Sequence, residues 1–322
     1  MTDATHDIPT NASAAGPHGE GPPQLFDRVL LKQRKNRAAG EFDDYNFLHA
    51  RAAEDLIDRV SAVTRDFDTC LVLGGGGAVG RALKKRPDVA GKFGHVIEAD
   101  LAQGLARTST FKGLVLDEER LPIADESVDI VLSCLSLHWT NDLVGALIQL
   151  NRALRPDGFF AGALLGGSTL TELRQSMMAA ESELAGGVSA RVSPFADTID
   201  MAGLMARAGF AMPVSDVDRV TARYGNSFVL MRDLRKMGET SVLKTRPREP
   251  VTKRFFVRTA EIYSEKFAHE DGKIPATFEI LHAAGWAPHP DQPKPKRPGS
   301  ATVRLADALG VDERNAGQKA GD

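Results

Sequence analysis

The chain has 322 residues, 42% of them hydrophobic and 26% charged, with a formal net charge of −3. That is enough apolar material for one large domain or two small ones, and it excludes collagen-like and wholly disordered chains. The near-neutral charge excludes nucleic-acid binding driven by overall charge. Cys70 and Cys134, far apart in sequence, form neither a disulfide framework nor a zinc spacing and fit a reducing compartment, so a cytoplasmic location is expected. No apolar stretch is long enough to span a bilayer.

Residues 1–24 are polar and carry acids, which predicts a disordered lead that is neither a secretory signal nor a transit peptide. A domain is expected over 25–287, then a Pro/Lys-rich tail over 288–322. Phe47, Leu48, Ala52, Leu56, Ile57 and Val60 recur at helical spacing, predicting a helix over 44–63. "DTCLVLG" (68–74) reads as a buried strand, followed by a glycine run and a helix from Ala78. Further strands are predicted at 95–101, 112–117, from 128 and over 155–167, with an amphipathic helix over 142–154. Helices follow at 196–210, 226–240 and 255–267, an edge strand at 212–224 and a last strand at 274–286. Strand and helix alternate at short spacing, which predicts a doubly wound, mainly parallel α/β sheet with helical decorations.

A strand that ends in glycines and feeds a helix offers backbone N–H groups, no Cβ obstruction and the positive end of a helix. Gly75, Gly77 and Gly80 satisfy a dinucleotide spacing; Gly74, Gly76 and Ala78 approximate the loop of S-adenosylmethionine enzymes. A glycine turn that only lets helix and strand pack closely is the bland alternative. Glu98 and Asp100, near the end of the second strand, suit a carboxylate that accepts ribose hydroxyl protons in either cofactor class.

The run "LDEERLPIADESVDIVLSCLSLHWTND", followed by "LNRALRPDGFFAGAL", resembles the Rossmann-like class I methyltransferase pattern. Together with "FDRVLLKQRKNRAA", "GGSTLTELRQS", "SPFAD", "LMRDLRKMGE", "AEIYSEKF" and "DGKIPATFEILHAAGW", it resembles the methyltransferase-like assembly factors of respiratory complex I, over about residues 25 to 305. The same run is similar to the malonyl-carrier-protein O-methyltransferase of biotin synthesis. The resemblance implies S-adenosylmethionine as cofactor and a protein substrate, with a complex I subunit among the candidates. It implies methyl transfer or arginine hydroxylation; a non-catalytic assembly chaperone and the carrier-protein enzyme are the alternatives. Two positions depart from the usual loop: Val72 stands where an acid anchors the methionine ammonium, and Ala78 replaces the third glycine. One lost charge-assisted bond is worth about 1.5–3 kcal/mol.

The candidate cofactor residues are Gly74, Gly75 and Gly76, Asp100 with Leu101 beside it, and Asp117 with Glu118 beside it. Asp100 doubles as a possible helix cap and Asp117 as a plain turn acid. His138, just past the fourth strand, is the candidate catalytic residue, with a capping histidine as its alternative. Trp139, Glu172 and Arg174 are the candidate substrate contacts; Trp139 could instead pack under the next helix, and Thr169 with Glu172 could form a capping box. No nucleophile arrangement and no metal triad stand out.

Overall fold

A computed structural model describes residues 24–193, 198–247, 250–293, 300 and 302–311. The expected lead, apart from Gln24, and most of the Pro/Lys stretch 293–297 lie outside the described residues.

Seven strands form one sheet: β1 (Phe67–Gly74), β2 (Phe93–Asp100), β3 (Lys112–Val115), β4 (Val128–Cys134), β5 (Leu154–Leu165), β6 (Ala211–Tyr224) and β7 (Ile274–Trp286). Their order is β3-β2-β1-β4-β5-β7-β6. The first five pair in parallel, whereas β7 runs antiparallel to both β5 and β6. Strand order reverses between β1 and β4, so the connections that leave their carboxyl ends run to opposite faces of the sheet and leave between them the crevice where ligands bind in such sheets.

The strand periodicity places alternate residues on opposite faces. Val72 and Leu132 pack with Leu48 and Ile57 on one side, while Leu71, Leu73 and Val131 pack with Leu147 and Leu150 on the other. The Phe47–Ser61 helix buries Leu48, Ala52, Leu56, Ile57 and Val60 of the stripe its sequence spacing predicts, together with His49 and Ala53, whereas Phe47 at its start is exposed. β6 alternates between half-buried and exposed positions, as an edge strand should. β3 ends at Val115, short of the expected 117, and is exposed throughout.

Sequence periodicity gives no sign of the helix Arg28–Ala38. Asp27 caps it by accepting from the Leu30 N–H at 2.9 Å, and an antiparallel bridge between Phe26 and Leu243 tethers its start. Of the described residues, those up to Pro288 belong to one compact unit and those from His289 to a second, with the short helix Leu305–Leu309.

Candidate functional site

The loop after β1 needs its glycines. Gly74, Gly75, Gly76 and Gly77 all have positive φ, between 51° and 79°, a region that L side chains rarely adopt. A Cβ at Gly74 would lie 2.6 Å from the Ser136 Cβ, and one at Gly77 would lie 2.5 Å from the Thr108 carbonyl oxygen. Gly80 serves another purpose. Its N–H donates to Glu98 at 3.0 Å, and a Cβ there would strike that carboxylate. Glu98 also accepts from the Thr110 and Phe111 N–H groups, so its oxygens are engaged inside the fold. Asp100 is thereby favoured over Glu98 as the ribose acid.

Asp100 closes β2. One oxygen accepts from the Ala102 N–H at 2.9 Å, and the other is buried with no hydrogen-bond partner. Such an orphaned acceptor calls for a donor, the requirement that a ribose hydroxyl would meet. Burial pushes the Asp100 pKa up, opposed by the charge of Lys35. Lys35 comes from the Arg28–Ala38 helix and is only 3% exposed. Burial would lower its pKa, but Asp100, Glu239 and Glu118 outweigh that and keep it protonated. Leu101 packs with Leu31 and Trp139. Arg28 Nη2 donates to Asp117 at 2.6 Å and Glu118 at 2.5 Å, so the same helix engages both acids. Asp100→Asn is expected to weaken S-adenosylmethionine binding more than about tenfold, the worth of a charged hydrogen bond, while the protein stays folded. Calorimetric titration checks it; an unchanged dissociation constant would remove Asp100 from the cofactor cleft.

His138 and Trp139 sit on a 3-10 turn directly after β4. Both point at Glu239, which sequence reasoning did not single out. His138 Nε2 lies 3.2 Å and Trp139 Nε1 3.0 Å from the same oxygen, Oε2. The His138 Nδ1 accepts a long bond from the Leu165 N–H, 3.5 Å, which assigns the ring proton to Nε2. Glu239 follows the helix Ser227–Lys236; Gly238 at φ 78° turns the chain so that the next side chain enters the interior. Its other oxygen faces His49 Nε2 at 3.5 Å, near enough for attraction but without hydrogen-bond geometry. Burial would raise the Glu239 pKa; the hydrogen bond from His138 and the nearness of His49 prevail and hold the carboxyl well below its ordinary range.

His138, the candidate catalytic residue, is held by the fold on both sides of its ring. Its side chain is fully buried, and both nitrogens hold partners. His138→Ala is expected to cost about 1–3 kcal/mol, since it deprives a buried carboxylate of a donor and the Leu165 N–H of an acceptor, with cofactor affinity nearly unchanged. Burial also lowers the His138 pKa from its ordinary 6.5. The unfolded chain therefore binds the proton first, and this contribution to stability falls as pH drops below about 6.5. A denaturant midpoint whose acid loss is just as steep in the variant would contradict this.

Trp139 and Glu239 also line a cavity of about 260 Å³, walled by Leu170, Leu173, Met177, Met231, Leu234 and Phe255. Glu239 thus joins two regions: it lines the cavity, and its charge acts on Lys35, the neighbour of Asp100. Glu172 and Arg174 do other work. Glu172 accepts from the Thr277 N–H at 3.2 Å and from its hydroxyl, fastening the Thr171–Ala185 helix to β7. Arg174 donates to the Gly167 and Thr169 carbonyls. The capping box is not formed either: Leu170, with φ 55°, precedes the helix, and Thr169 bonds to Glu279 instead. Burial pushes the Cys134 thiol up to about 12 and raises that of Cys70 as well, so neither is a ready nucleophile. Among the described residues no group of His, Cys, Asp or Glu is placed to hold a metal ion.

Comparison with known proteins fits this geometry. A family model described as a methyltransferase domain matches residues 73–162. The mitochondrial arginine-hydroxylase NDUFAF5 of Mus musculus is 37% identical over 313 residues, 94% of this chain and 90% of that protein. The chain belongs to that family. The malonyl-[acyl-carrier protein] O-methyltransferase of a Methylovorus species is a more distant relative, 31% identical over 82% of this chain and 90% of that protein. A solved structure of a methyltransferase candidate from Bacillus halodurans, 15% identical, superposes with a TM-score of 0.51 over 73% of this chain and 99% of that one, which shows the shared fold. The chain is a class I methyltransferase-like enzyme, and S-adenosylmethionine is the cofactor of that class. No helix among the described residues is long and apolar enough to cross a membrane.

Proposed function

We propose that this protein binds S-adenosylmethionine between Asp100 and the glycine loop and modifies an arginine side chain of a protein substrate held in the cavity above Glu239. The observation that carries the reading is Glu239 itself: among the described residues, the one carboxylate in the lining of a cavity whose walls combine apolar side chains with the arginines Arg34, Arg191, Arg235 and Arg246. Apolar walls accommodate an aliphatic stem, and a carboxylate accepts a guanidinium through charge-assisted bonds. The mouse relative is named an arginine-hydroxylase, which agrees with such an acceptor.

S-adenosylmethionine, when bound, supplies an electrophilic methyl group. Asp100 would hold the ribose hydroxyls, and Gly74, Gly75 and Gly76 would let the loop backbone approach closely. A carboxylate held so far below its ordinary range is a weak base at neutral pH, so Glu239 orients and neutralises a cation. His138 and Trp139 fix its rotamer. Assembly of respiratory complex I, with one of its subunits as substrate, is the setting the family suggests. The buried thiols of Cys70 and Cys134 are consistent with a reducing, cytoplasmic setting, although the relatives are named as mitochondrial.

A second reading, methyl transfer to an acyl carrier protein, draws on the arginines Arg34, Arg191, Arg235 and Arg246 that also line the cavity and suit an anionic acceptor. The deciding experiment incubates the protein and methyl-labelled S-adenosylmethionine with cell extract and with malonyl-carrier protein, followed by mass spectrometry. A methyl-sized or oxygen-sized mass gain on an arginine is expected. Label on the malonyl carboxylate alone would replace the first reading with the second. Cofactor binding without any modification would leave a chaperone.

A further inference from the structure

A chain of net charge −3 concentrates positive charge around the mouth of this cavity. Arg34, Arg235 and Arg246 line it, and a second hollow of about 420 Å³ shares Arg34, Arg235 and Thr240 with it while adding Arg37 and the ion pair of Lys236 with Glu41. Counter-charge is scarce. Arg246 has Asp27 at 3.4 Å, whereas Arg34, Arg37 and Arg235 have no carboxylate within ion-pair distance among the described residues. Arg34 is anchored by neutral acceptors, the Thr240 hydroxyl at 3.0 Å and the Ser241 carbonyl. Burial and the charges of Arg246, Arg37 and Arg235 push the Arg34 pKa down, and the opposing charge of Asp27 does not offset them. These guanidiniums come from separate elements, Arg34 and Arg37 from the first helix and Arg235 from the helix that leads to Glu239.

This rim sets a condition on the substrate. A cationic side chain bound for Glu239 meets like charge at the entrance, which steers wrong partners away. A segment that brings its own acids removes the repulsion and gains ion pairs. Phosphate-rich ligands fit less well, because the cavity behind the rim has the Glu239 carboxylate in its lining.

We propose that Arg34, Arg37, Arg235 and Arg246 form the docking rim for an acidic stretch of the protein substrate flanking the residue that enters the cavity, an inference that rests on the arginine reading above. The smaller cavity takes the reacting side chain, and the neighbouring hollow takes acidic residues beside it.

The test uses the full-length protein with S-adenosylmethionine present and three fluorescein-labelled twelve-residue peptides. Each carries one central arginine, flanked by aspartate and glutamate, by serine, or by lysine. The acid-flanked peptide is expected to bind about tenfold tighter than the serine-flanked one, the combined worth of two or three exposed ion pairs. The advantage should shrink at high salt and disappear in the double variant Arg37→Glu/Arg235→Glu, with cofactor affinity on the same variant as the control for folding. Equal affinity for acidic and serine flanks would overturn the docking rim, as would displacement of the acidic peptide by phosphopantetheine or by single-stranded RNA at lower concentration than by unlabelled peptide. Replacing the central arginine by norleucine separates the two claims. If acidic flanks still confer the advantage but the arginine adds nothing, the rim stands and the arginine reading fails; loss of cofactor binding in the parent protein would sink that reading by a different route.

Discussion

Glu239→Ala is expected to remove about 3–5 kcal/mol of stability, the usual consequence of taking one member from a buried charged network. The carboxylate accepts from His138 and Trp139 and offsets the charge of Lys35. Without it, two ring N–H donors lose their acceptor and a lysine that is 3% exposed loses one of the carboxylates around it. Because that variant risks not folding, Glu239→Gln is the informative companion. It keeps the volume and one acceptor for Trp139 while removing the charge. It should fold, bind S-adenosylmethionine nearly as the parent does, and lose about 10- to 100-fold in affinity for an arginine-containing peptide, as expected for a charge-assisted bond reduced to a neutral one. The pH dependence has a definite sign. The folded pKa lies below the ordinary 4.5, so the stabilisation is complete above about 4.5 and is lost as the pH falls through lower values. Thermal midpoints between pH 7 and 3 should therefore converge for the parent and Glu239→Gln. An arginine peptide that binds the glutamine variant as tightly as the parent would exclude Glu239 from acceptor recognition.

The sheet was legible because its signals are local. Buried parallel strands read as continuous apolar runs, as in Leu71–Leu73 and Ile130–Leu132, and each ends where glycine or a polar residue appears. The position of Asp100 was legible for the same reason: it is the acid that closes a strand. Glu239 was not. It stands about 100 residues from His138 and Trp139, and nothing in "RKMGE" announces that Gly238 takes a left-handed conformation and turns the next side chain inward. The Arg28–Ala38 helix was missed because it lacks an apolar stripe: of Leu31, Lys35 and Ala38, the residues it buries, one is a lysine whose place is justified only by Asp100, Glu118 and Glu239. Glu172 and Thr169 misled in the opposite direction. Their spacing matches a capping box, yet β7 competes for both side chains and wins, since Thr277 and Glu279 present backbone groups that the helix start would leave unsatisfied. Local patterns thus located the crevice, while the residues that face one another across it came from segments that only the tertiary fold brings together.

Val72→Asp should give the sharpest separation between loss of stability and gain of binding. Val72 is fully buried, pairs with Glu98 on one side and Leu132 on the other, and packs in the apolar cluster with Leu48 and Ala78. A carboxylate there has no evident partner in the protein alone, and burial of an unpartnered charge costs several kcal/mol unless the group takes up a proton. A loss of about 3–5 kcal/mol is expected, or ~10 °C in melting temperature for a domain of this size. The sign of its pH dependence is opposite to that of Glu239. Burial raises the folded pKa of the new acid, so the penalty is small at low pH and grows as the pH rises through that value; the variant should sit closer to the parent at pH 5 than at pH 8. In the ordinary loop, the acid at this position meets the methionine ammonium. If this chain binds the cofactor in the same pose, S-adenosylmethionine supplies the missing positive partner, and the melting temperature of Val72→Asp should rise on its addition by more than that of the parent. A variant that is destabilised and shows no larger cofactor-induced rise would mean that the methionine end is held elsewhere, and that valine at this position reflects a different pose and not a weakened version of the usual one.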